Sequence, residues 1–267
     1  MSARYPQRIV CLTEETTETL YLLKQDWRIV GISGFTVRPP EARKEKPKVS
    51  AFTSAKLDKI AALKPDLVLG FSDLQADIAA DLVRRGIEVH VFNHRTVEDI
   101  FRMIGMLGGM LGCQAKTQAL MAKLEADLET LRAAAKRLPK HPKVYFEEWD
   151  EPQISGIAWV SELVGIAGGI DIFPELAKES LGKNRIVADP TEVIRRQPDV
   201  ILGSWCGKKF RPKAVAARPG WDAVPAVRDG ELHEIKSPII LQPGPAALTD
   251  GVNAIYEVIA AWAGKQA

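Results

Sequence analysis

One pattern of residues occurs twice in the chain and constrains the fold more than any other feature. Residues 59–71 read KIAALKPDLVLGF and residues 192–205 read EVIRRQPDVILGSW. In each, a helical turn leads to Pro-Asp and then to a short apolar run that reaches a glycine. Proline cannot continue a helix, and it pushes the residue before it out of the α region. An apolar run without polar alternation is typical of a parallel strand buried on both faces. Two such units therefore predict two similar α/β lobes.

The rest of the sequence extends this alternation of strands and helices. The predicted strands are 8–12, 29–33, 67–71 and 89–93 in the first half, and 143–147, 185–187, 200–203 and 231–235 in the second. Strands that alternate with helices favour mainly parallel sheets with right-handed crossovers. The predicted fold is therefore α/β, with two Rossmann-like lobes.

A long helical segment separates the two halves. Residues 115–138 contain no Gly or Pro and are built from strong helix formers. A coiled coil is the alternative, but about three heptads is a marginal length for one. We read one long helix, which gives an N-terminal lobe of residues 1–114, a linking helix of residues 115–138 and a C-terminal lobe of residues 139–267.

Composition excludes several classes of protein. Lys and Arg number 36 against 34 Asp and Glu, so no strong field attracts nucleic acid or an anionic membrane. No apolar run reaches the roughly 18 residues of a membrane helix. Three scattered cysteines are too few for a disulfide framework or a zinc ribbon. No secretory signal precedes the first strand, which indicates a cytoplasmic protein if the start is native, or else a trimmed mature chain.

Candidate binding residues follow the predicted strands, because ligands of open α/β sheets lie beyond the carboxyl ends of the strands. These positions are rich in acids and in aromatic rings, which stack well on a flat macrocycle. Other rings, Trp27, Phe92, Phe101 and Trp262, are expected in the core. The candidate ligand-binding residues are Glu14, Glu15, Phe35, Phe52, Phe71, Glu148, Trp149, Trp159, Trp205 and Cys206.

Two pairs of acids, Glu14-Glu15 and Glu147-Glu148, directly follow the first predicted strand of each lobe. Facing carboxylates would bind a cation, an amine or the amide edge of a ligand. Equally, they fit acids at helix N-termini, which the helix dipole stabilises by about 0.3–1 kcal/mol each.

The thiol of Cys206 lies near two lysines, in the sequence SWCGKKF. Such surroundings would make it a nucleophile or a soft metal ligand, although a lone cysteine at a strand end is more often inert. The basic stretch 208–213 is most simply a solvated loop.

The order of these segments around a central helix resembles the class III periplasmic substrate-binding proteins of ABC importers. That group binds cobalamin, haem and iron–siderophore complexes, and the likeness is greatest to its cobalamin-binding members. The similarity runs from RIVCLTEETTE through LDKIAALKPDLVLG and ISGIAWVSELVGIAGG to PDVILGSW. It implies two α/β lobes joined by one long helix, with the ligand held in the cleft between them.

The resemblance also implies roles for individual residues. The cobalamin-binding proteins carry aromatics where this chain has Phe52 and Phe71. Their aromatic in the second lobe has no match in RIVADPTEV, and Trp205, on a different loop, is the proposed substitute.

A membrane permease is the partner that the resemblance implies. One surface acid in each lobe of the family docks onto arginines of the permease. Asp58 occupies the first of these positions, whereas the second has Thr191, with Glu192 next to it. The resemblance further implies a periplasmic location, and we expect a monomer that binds a small molecule.

Catalytic motifs are missing from the sequence. The four histidines lack helical metal-binding spacing, and no GxSxG elbow or Walker loop occurs. We therefore expect neither an enzyme nor an intrinsic cofactor. The predicted function is binding of a bulky metal chelate, cobalamin first, for delivery to an ABC importer. The alternatives are a haem or iron–siderophore binding protein, or a cytoplasmic corrinoid or haem carrier.

Overall fold

Two five-stranded sheets organise the computed structural model, which describes residues 4–266. The first unit consists of the residues up to His94 together with Glu98–Lys123. The second consists of Arg95–Val97 and the residues from Leu124 onward. This is the predicted two-lobed α/β fold.

The first sheet has the strand order β3-β2-β1-β4-β5, and all its strands are parallel. Its strands are β1 (Ile9–Cys11), β2 (Ile29–Ser33), β3 (Lys48–Ser50), β4 (Leu67–Phe71) and β5 (Val89–Phe92). The central strand β1 is fully buried, as an apolar strand covered on both faces must be. The helices of this half of the chain are α1 (Glu14–Leu22), α2 (Pro40–Glu45), α3 (Leu57–Ala62), α4 (Ala76–Arg84) and α5 (Val97–Leu111).

The second sheet has the order β10-β9-β6-β7, with β8 paired to the start of β6. Its strands are β6 (Lys143–Asp150), β7 (Gln153–Ser155), β8 (Ile170–Asp171), β9 (Val200–Gly203) and β10 (Leu232–Glu234). Only the β6–β7 hairpin is antiparallel. The helices are α7 (Ala158–Ile166), α8 (Pro174–Ala177), α9 (Thr191–Arg196), α10 (Pro212–Ala216), α11 (Pro225–Arg228), α12 (Ser237–Ile240) and α13 (Val252–Gly264).

The repeated Pro-Asp pair has the same structural role in both units. The Asp66 carboxylate accepts hydrogen bonds from the backbone N–H groups of Gln7 and Arg8, at 2.7 and 2.8 Å, just before β1. In the second unit, Asp199 accepts from the N–H of Lys143 at 2.8 Å, where β6 begins. The proline ends a helix, and the aspartate satisfies the first donors of the neighbouring central strand.

The long helix α6 begins at Gln114 and ends at Ala135. Its residues up to Lys123 belong to the first unit, and those from Leu124 belong to the second. Within the described part of the chain, no helix combines the length and apolar character needed to cross a membrane.

Three expectations from the sequence are corrected. Residues 185–187 form an isolated antiparallel bridge to β7, at Ile186 and Ile154, with backbone hydrogen bonds on both sides of it, rather than a strand of the sheet. The first strand of the second unit continues to Asp150, so the acids expected after it lie within it. Trp27 is 58% exposed on a 3₁₀ turn, whereas Phe92, Phe101 and Trp262 are buried as expected.

Candidate ligand-binding site

Three loops meet at the carboxyl edge of the first sheet. The N–H of Gly34, after β2, donates to the carbonyl of Ser50, at the end of β3, at 2.7 Å. The side chain of Gln75 accepts from the N–H of Phe71 and donates to the carbonyl of Phe52, both at 2.9 Å. These bonds hold the segments that carry the predicted residues Phe35, Phe52 and Phe71 at one edge of the sheet.

The three rings differ in exposure. Phe35 is 57% exposed, a large apolar side chain that faces water. Phe52 is half-buried, and Phe71 is buried, with its ring centroid 4.9 Å from that of His94. Phe35 thus offers the largest free ring surface of the three.

Glu14 and Glu15 open helix α1 at the same edge, and both are buried. Thr13 donates its hydroxyl to one oxygen of Glu15. The second carboxylate oxygen, Oε2, of each glutamate is buried without a hydrogen-bond partner in residues 4–266. Their place in the first helical turn agrees with the helix-dipole explanation, but the two unsatisfied oxygens are not explained by it.

Burial raises the pKa of both acids. The pKa of Glu14 rises to about 8, with its neighbour Glu15 adding to the shift and the backbone N–H of Val37 opposing it. The pKa of Glu15 rises to about 7, opposed by the hydrogen bond from Thr13. Near neutral pH Glu14 is therefore held largely protonated and Glu15 partly protonated, because charged carboxylates lacking partners are costly to bury.

The corresponding acids of the second unit are paired with arginines. Glu147 is fully buried, and its two oxygens accept from Arg218 Nη1 at 2.6 Å and Nη2 at 2.9 Å. The indole Nε1 of Trp205 donates to the same carboxylate at 3.0 Å. Glu147 thus fixes the orientation of Trp205, which packs in the core of this unit and edge-on against Phe210, 5.0 Å between centroids.

Glu148 accepts from Arg185 Nη2 at 2.6 Å. Arg185 is buried, and its remaining N–H groups donate to the carbonyls of Ser155, Glu179 and Ser180 at 3.2–3.3 Å. Burial raises the pKa of Glu148, and the neighbouring guanidinium opposes the shift. The side chain of Arg185 thus adds to the backbone hydrogen bonds of this segment with β7, from Ser155 N–H to the Arg185 carbonyl at 3.0 Å and from Val187 N–H to the Gln153 carbonyl at 2.9 Å.

A lysine packs against the two tryptophans of this region. Lys208 Nζ lies 4.2 Å from the ring centroid of Trp149 and 5.1 Å from that of Trp205, and it pairs with Asp150. Cys206, on the same loop, is exposed. The structure thus brings Trp149, Trp205 and Cys206 to the carboxyl end of the second sheet.

Trp159 lies apart from this group. It belongs to the first turn of α7, is buried, and donates its indole N–H to the carbonyl of Ile240 at 2.9 Å. In this structure its ring is a core contact, and a ligand role for it stays a prediction.

Residues that the sequence reasoning missed hold several of these groups in place. Gln75, Arg185 and Arg218 make the bonds described above. A basic residue at the start of an otherwise apolar RIV segment was a signal for Arg185. Nothing in the spacing identified Gln75 or Arg218, because Gln75 joins its neighbour Phe71 to Phe52, 23 residues away, and Arg218 bonds to Glu147, 71 residues away.

The predicted docking acids occupy the first turns of short helices. The Asp58 side chain is 94% exposed and pairs with Arg85 at 2.6 Å. Glu192 is one-third exposed and pairs with both Arg195 and Arg196. Among residues 4–266, no group of three or more His, Cys, Asp or Glu side chains is arranged to hold a metal ion.

Comparison with known proteins now identifies the family. The family model described as periplasmic binding protein matches residues 9–239. The chain belongs to this family. The resemblance to class III substrate-binding proteins is thereby confirmed.

Individual relatives agree with this assignment along nearly the whole chain. The chain is 26% identical to the uncharacterised ABC transporter substrate-binding lipoprotein YvrC of Bacillus subtilis, covering 95% of this chain and 80% of that protein. It is also 26% identical to a vitamin B12-binding protein of Vibrio parahaemolyticus, covering 94% and 88%. The apo periplasmic heme-binding protein RhuT of Roseiflexus sp. RS-1 shares the fold, with a TM-score of 0.79, 24% identity and coverage of 95% and 99%.

Proposed function

We propose that this protein binds a bulky metal chelate, with cobalamin as the first choice, and delivers it to an ABC importer. Membership of the periplasmic binding proteins supports a binding role, and the relatives named as substrate-binding and vitamin B12-binding proteins support the ligand class. No covalent chemistry is required of the residues described, and the chelate is cargo rather than a cofactor.

The observation that carries the proposal is the exposed aromatic surface at the carboxyl edge of the first sheet. Phe35 leaves more than half of its surface in water, and Phe52 is held beside the same edge by Gln75. Both rings lie beyond the carboxyl ends of parallel strands, where ligands of open α/β sheets bind, so a ligand stacked on them would remove their apolar surface from water. Flat apolar faces of a chelate would stack on these rings, while neighbouring polar groups would fix its orientation.

The chain offers a matched pair of rings to test this. Phe35 follows the carboxyl end of β2, whereas Trp27, 58% exposed, precedes the amino end of the same strand. Phe35→Ala should weaken binding of cyanocobalamin about tenfold or more, since a covered phenyl ring contributes about 1.5–3 kcal/mol. Trp27→Ala should leave the affinity unchanged. Calorimetric titration measures both, and equal effects of the two variants would refute the site.

Haem is the second candidate, favoured by the fold shared with a heme-binding protein and by lysines at the carboxyl edge of the second sheet. Parallel titrations with cyanocobalamin, haemin and a ferric siderophore discriminate between the ligands. Tight one-to-one binding of one ligand identifies it, and failure of all three to bind would refute the chelate proposal.

Docking to a permease through Asp58 and Glu192 belongs to the same proposal. Asp58 is the more available of the two carboxylates, because Glu192 already holds two arginines. With the partner importer reconstituted in vesicles, Asp58→Lys should reduce stimulation of its ATPase activity while ligand affinity stays unchanged. Glu192→Lys should have a smaller effect, and full stimulation by a variant with both changes would contradict docking through these acids.

A further inference from the structure

A surface cavity of about 330 Å³ lies wholly within the second unit, at the carboxyl ends of β9 and β10. The loop that follows β9 forms one side, and the segment at the end of β10 together with the start of α12 forms the other. The lining residues are Trp205, Gly207, Lys208, Lys209, Glu234, Ile235, Lys236, Ser237 and Pro238. Its volume is near the lower limit of small-molecule sites, so it suits one substituent of a ligand rather than a whole macrocycle.

The charge of this lining is positive. Three lysines, Lys208, Lys209 and Lys236, face a single lining carboxylate, that of Glu234. Glu234 pairs with Lys236 and also accepts from the N–H of Phe210 at 3.3 Å. The lysine ammonium groups near Glu234, with its hydrogen bonds, hold the pKa of this carboxyl below its usual range against the opposing effect of burial. Lys208 also pairs with Asp150, outside the lining. The net positive charge of the cavity is therefore that of Lys209, which is exposed.

The apolar wall of the cavity is held rigidly. Trp205 is fixed by its bond to Glu147, which is itself held by the two hydrogen bonds from Arg218. Gly203 allows this packing, because a Cβ at that position would lie 1.9 Å from the ring of Phe210. A site supported in this way loses little entropy when a ligand binds.

We propose that this cavity is a subsite for an anionic substituent, a phosphate diester or a carboxylate, carried by an apolar or flat ligand. This inference rests on the proposed function and specifies in addition that the ligand carries a negatively charged group. The lysines bind the anion, and the buried ring of Trp205, which lines the cavity, forms part of its apolar floor. In a chelate, the anion is either the phosphate diester of a corrinoid nucleotide loop or the carboxylate of a porphyrin propionate.

Paired ligands with and without the anion provide the first test. Haemin and its dimethyl ester differ only in the two carboxylates. Dicyanocobinamide lacks the whole nucleotide loop of cyanocobalamin, including the phosphate diester, so this pair is informative through the difference between wild type and variant. The variant K209Q/K236Q should bind the anionic member of the matching pair about tenfold more weakly at low salt and the uncharged member with unchanged affinity. The control K183Q/K213Q removes two exposed lysines of the same unit outside the cavity and should change neither.

A second measurement does not depend on the chelate. Phenyl phosphate should shift the backbone amide NMR signals of residues 205–209 and 235–237 in the wild-type protein, saturably and in the millimolar range, whereas phenol should not. The K209Q/K236Q variant should lose this response. Absence of the phenyl phosphate response, or equal loss of both members of a ligand pair, would overturn the anionic subsite. If phenyl phosphate binds but no chelate does, the subsite stands and the proposed function fails.

Discussion

Each unit has a pair of glutamates near the carboxyl end of its central strand, but the two pairs differ in the partners of their carboxyl groups. Glu14 and Glu15 are buried with one unsatisfied oxygen each, and burial raises the pKa of both. Glu147 and Glu148 are instead held by Arg218 and Arg185. The same residue type at related positions therefore has a raised pKa in one unit and is ion-paired in the other.

This difference shows how a repeated sequence feature diverges in role. The paired acids of the second unit orient a tryptophan and anchor a loop, which are positioning tasks that need full satisfaction of the buried groups. Glu14 and Glu15 each keep one carboxyl oxygen without a hydrogen-bond partner in residues 4–266, at the edge of the first sheet where Phe35 is exposed. The first unit is thus the better candidate for direct polar contact with the amide or amine groups of a ligand.

The largest expected effect comes from breaking the buried pair of the second unit. Glu147→Gln leaves the guanidinium of Arg218 without its carboxylate and should lower the free energy of unfolding by about 3–5 kcal/mol. Urea unfolding followed by tryptophan fluorescence measures this. The double variant E147L/R218M, which removes both charges, should recover part of the loss. A change below about 1 kcal/mol in E147Q would mean that the pair behaves like a surface one.

The first pair should make stability depend on pH in a defined direction. The folded protein binds protons at Glu14 and Glu15 up to pH values of about 8 and 7, whereas unfolded glutamates release them near about 4.3. Stability from these groups is therefore present at low pH and falls as pH rises from about 4.3 to 8. The E14Q/E15Q variant should lose this pH dependence and be more stable than wild type at pH 8.5, by several kcal/mol.

Unfolding at pH 5 and at pH 8.5 tests this expectation. Glu88→Gln, at an exposed position of the same unit, is the control and should follow the wild-type profile. Parallel pH profiles for wild type and E14Q/E15Q would show that these carboxyl groups are not protonated by burial.

The side chain of Gln75 joins two loops of the first unit by hydrogen bonds. Removing it should lower the free energy of unfolding by an intermediate amount. Gln75→Ala leaves the N–H of Phe71 and the carbonyl of Phe52 without their partner, at a cost of about 1–2 kcal/mol. Faster hydrogen exchange at the Phe71 amide would accompany the loss. Gln118→Ala, on the exposed face of α6, should leave both the stability and that amide unaffected, and equal behaviour of the two variants would argue against the tie.

Surface ion pairs should contribute least to the free energy of unfolding. Asp58→Asn breaks an exposed pair with Arg85, and Glu192→Gln breaks two pairs, so the expected losses are below about 0.5 and 1 kcal/mol respectively. Thermal unfolding at low and high salt measures both. Losses as large as that of E147Q would remove the distinction between buried and exposed pairs.

The parts of the fold that local chemistry dictates could be predicted from the sequence. The two Pro-Asp segments defined their helices and strands, because proline excludes helix and the apolar runs exclude exposure. The missed elements depend on tertiary context. Residues 185–187 pair with β7 only over a single bridge, and the side chain of Arg185 bonds to Glu148 and to three backbone carbonyls, contacts that no local pattern reports.

Exposure of single rings was harder to predict. Trp27 lies exposed on a 3₁₀ turn, with the guanidinium of Arg28 stacked 4.5 Å from its ring centroid, and hydropathy alone does not report this. The lysine-lined cavity was read as a solvated loop because its two walls are about 30 residues apart in the chain. Neither wall is informative without the parallel pairing of β9 with β10.

Hydrogen–deuterium exchange with and without cyanocobalamin tests the central claim most directly, namely that ligand is bound by the loops at the carboxyl ends of the strands. The account predicts protection in residues 34–37, 50–54 and 71–75 of the first unit and in residues 205–209 and 235–238 of the second. Residues 24–28, before the amino end of β2, should exchange at the same rate in both samples. Protection confined to those residues, or no protection anywhere, would contradict the account.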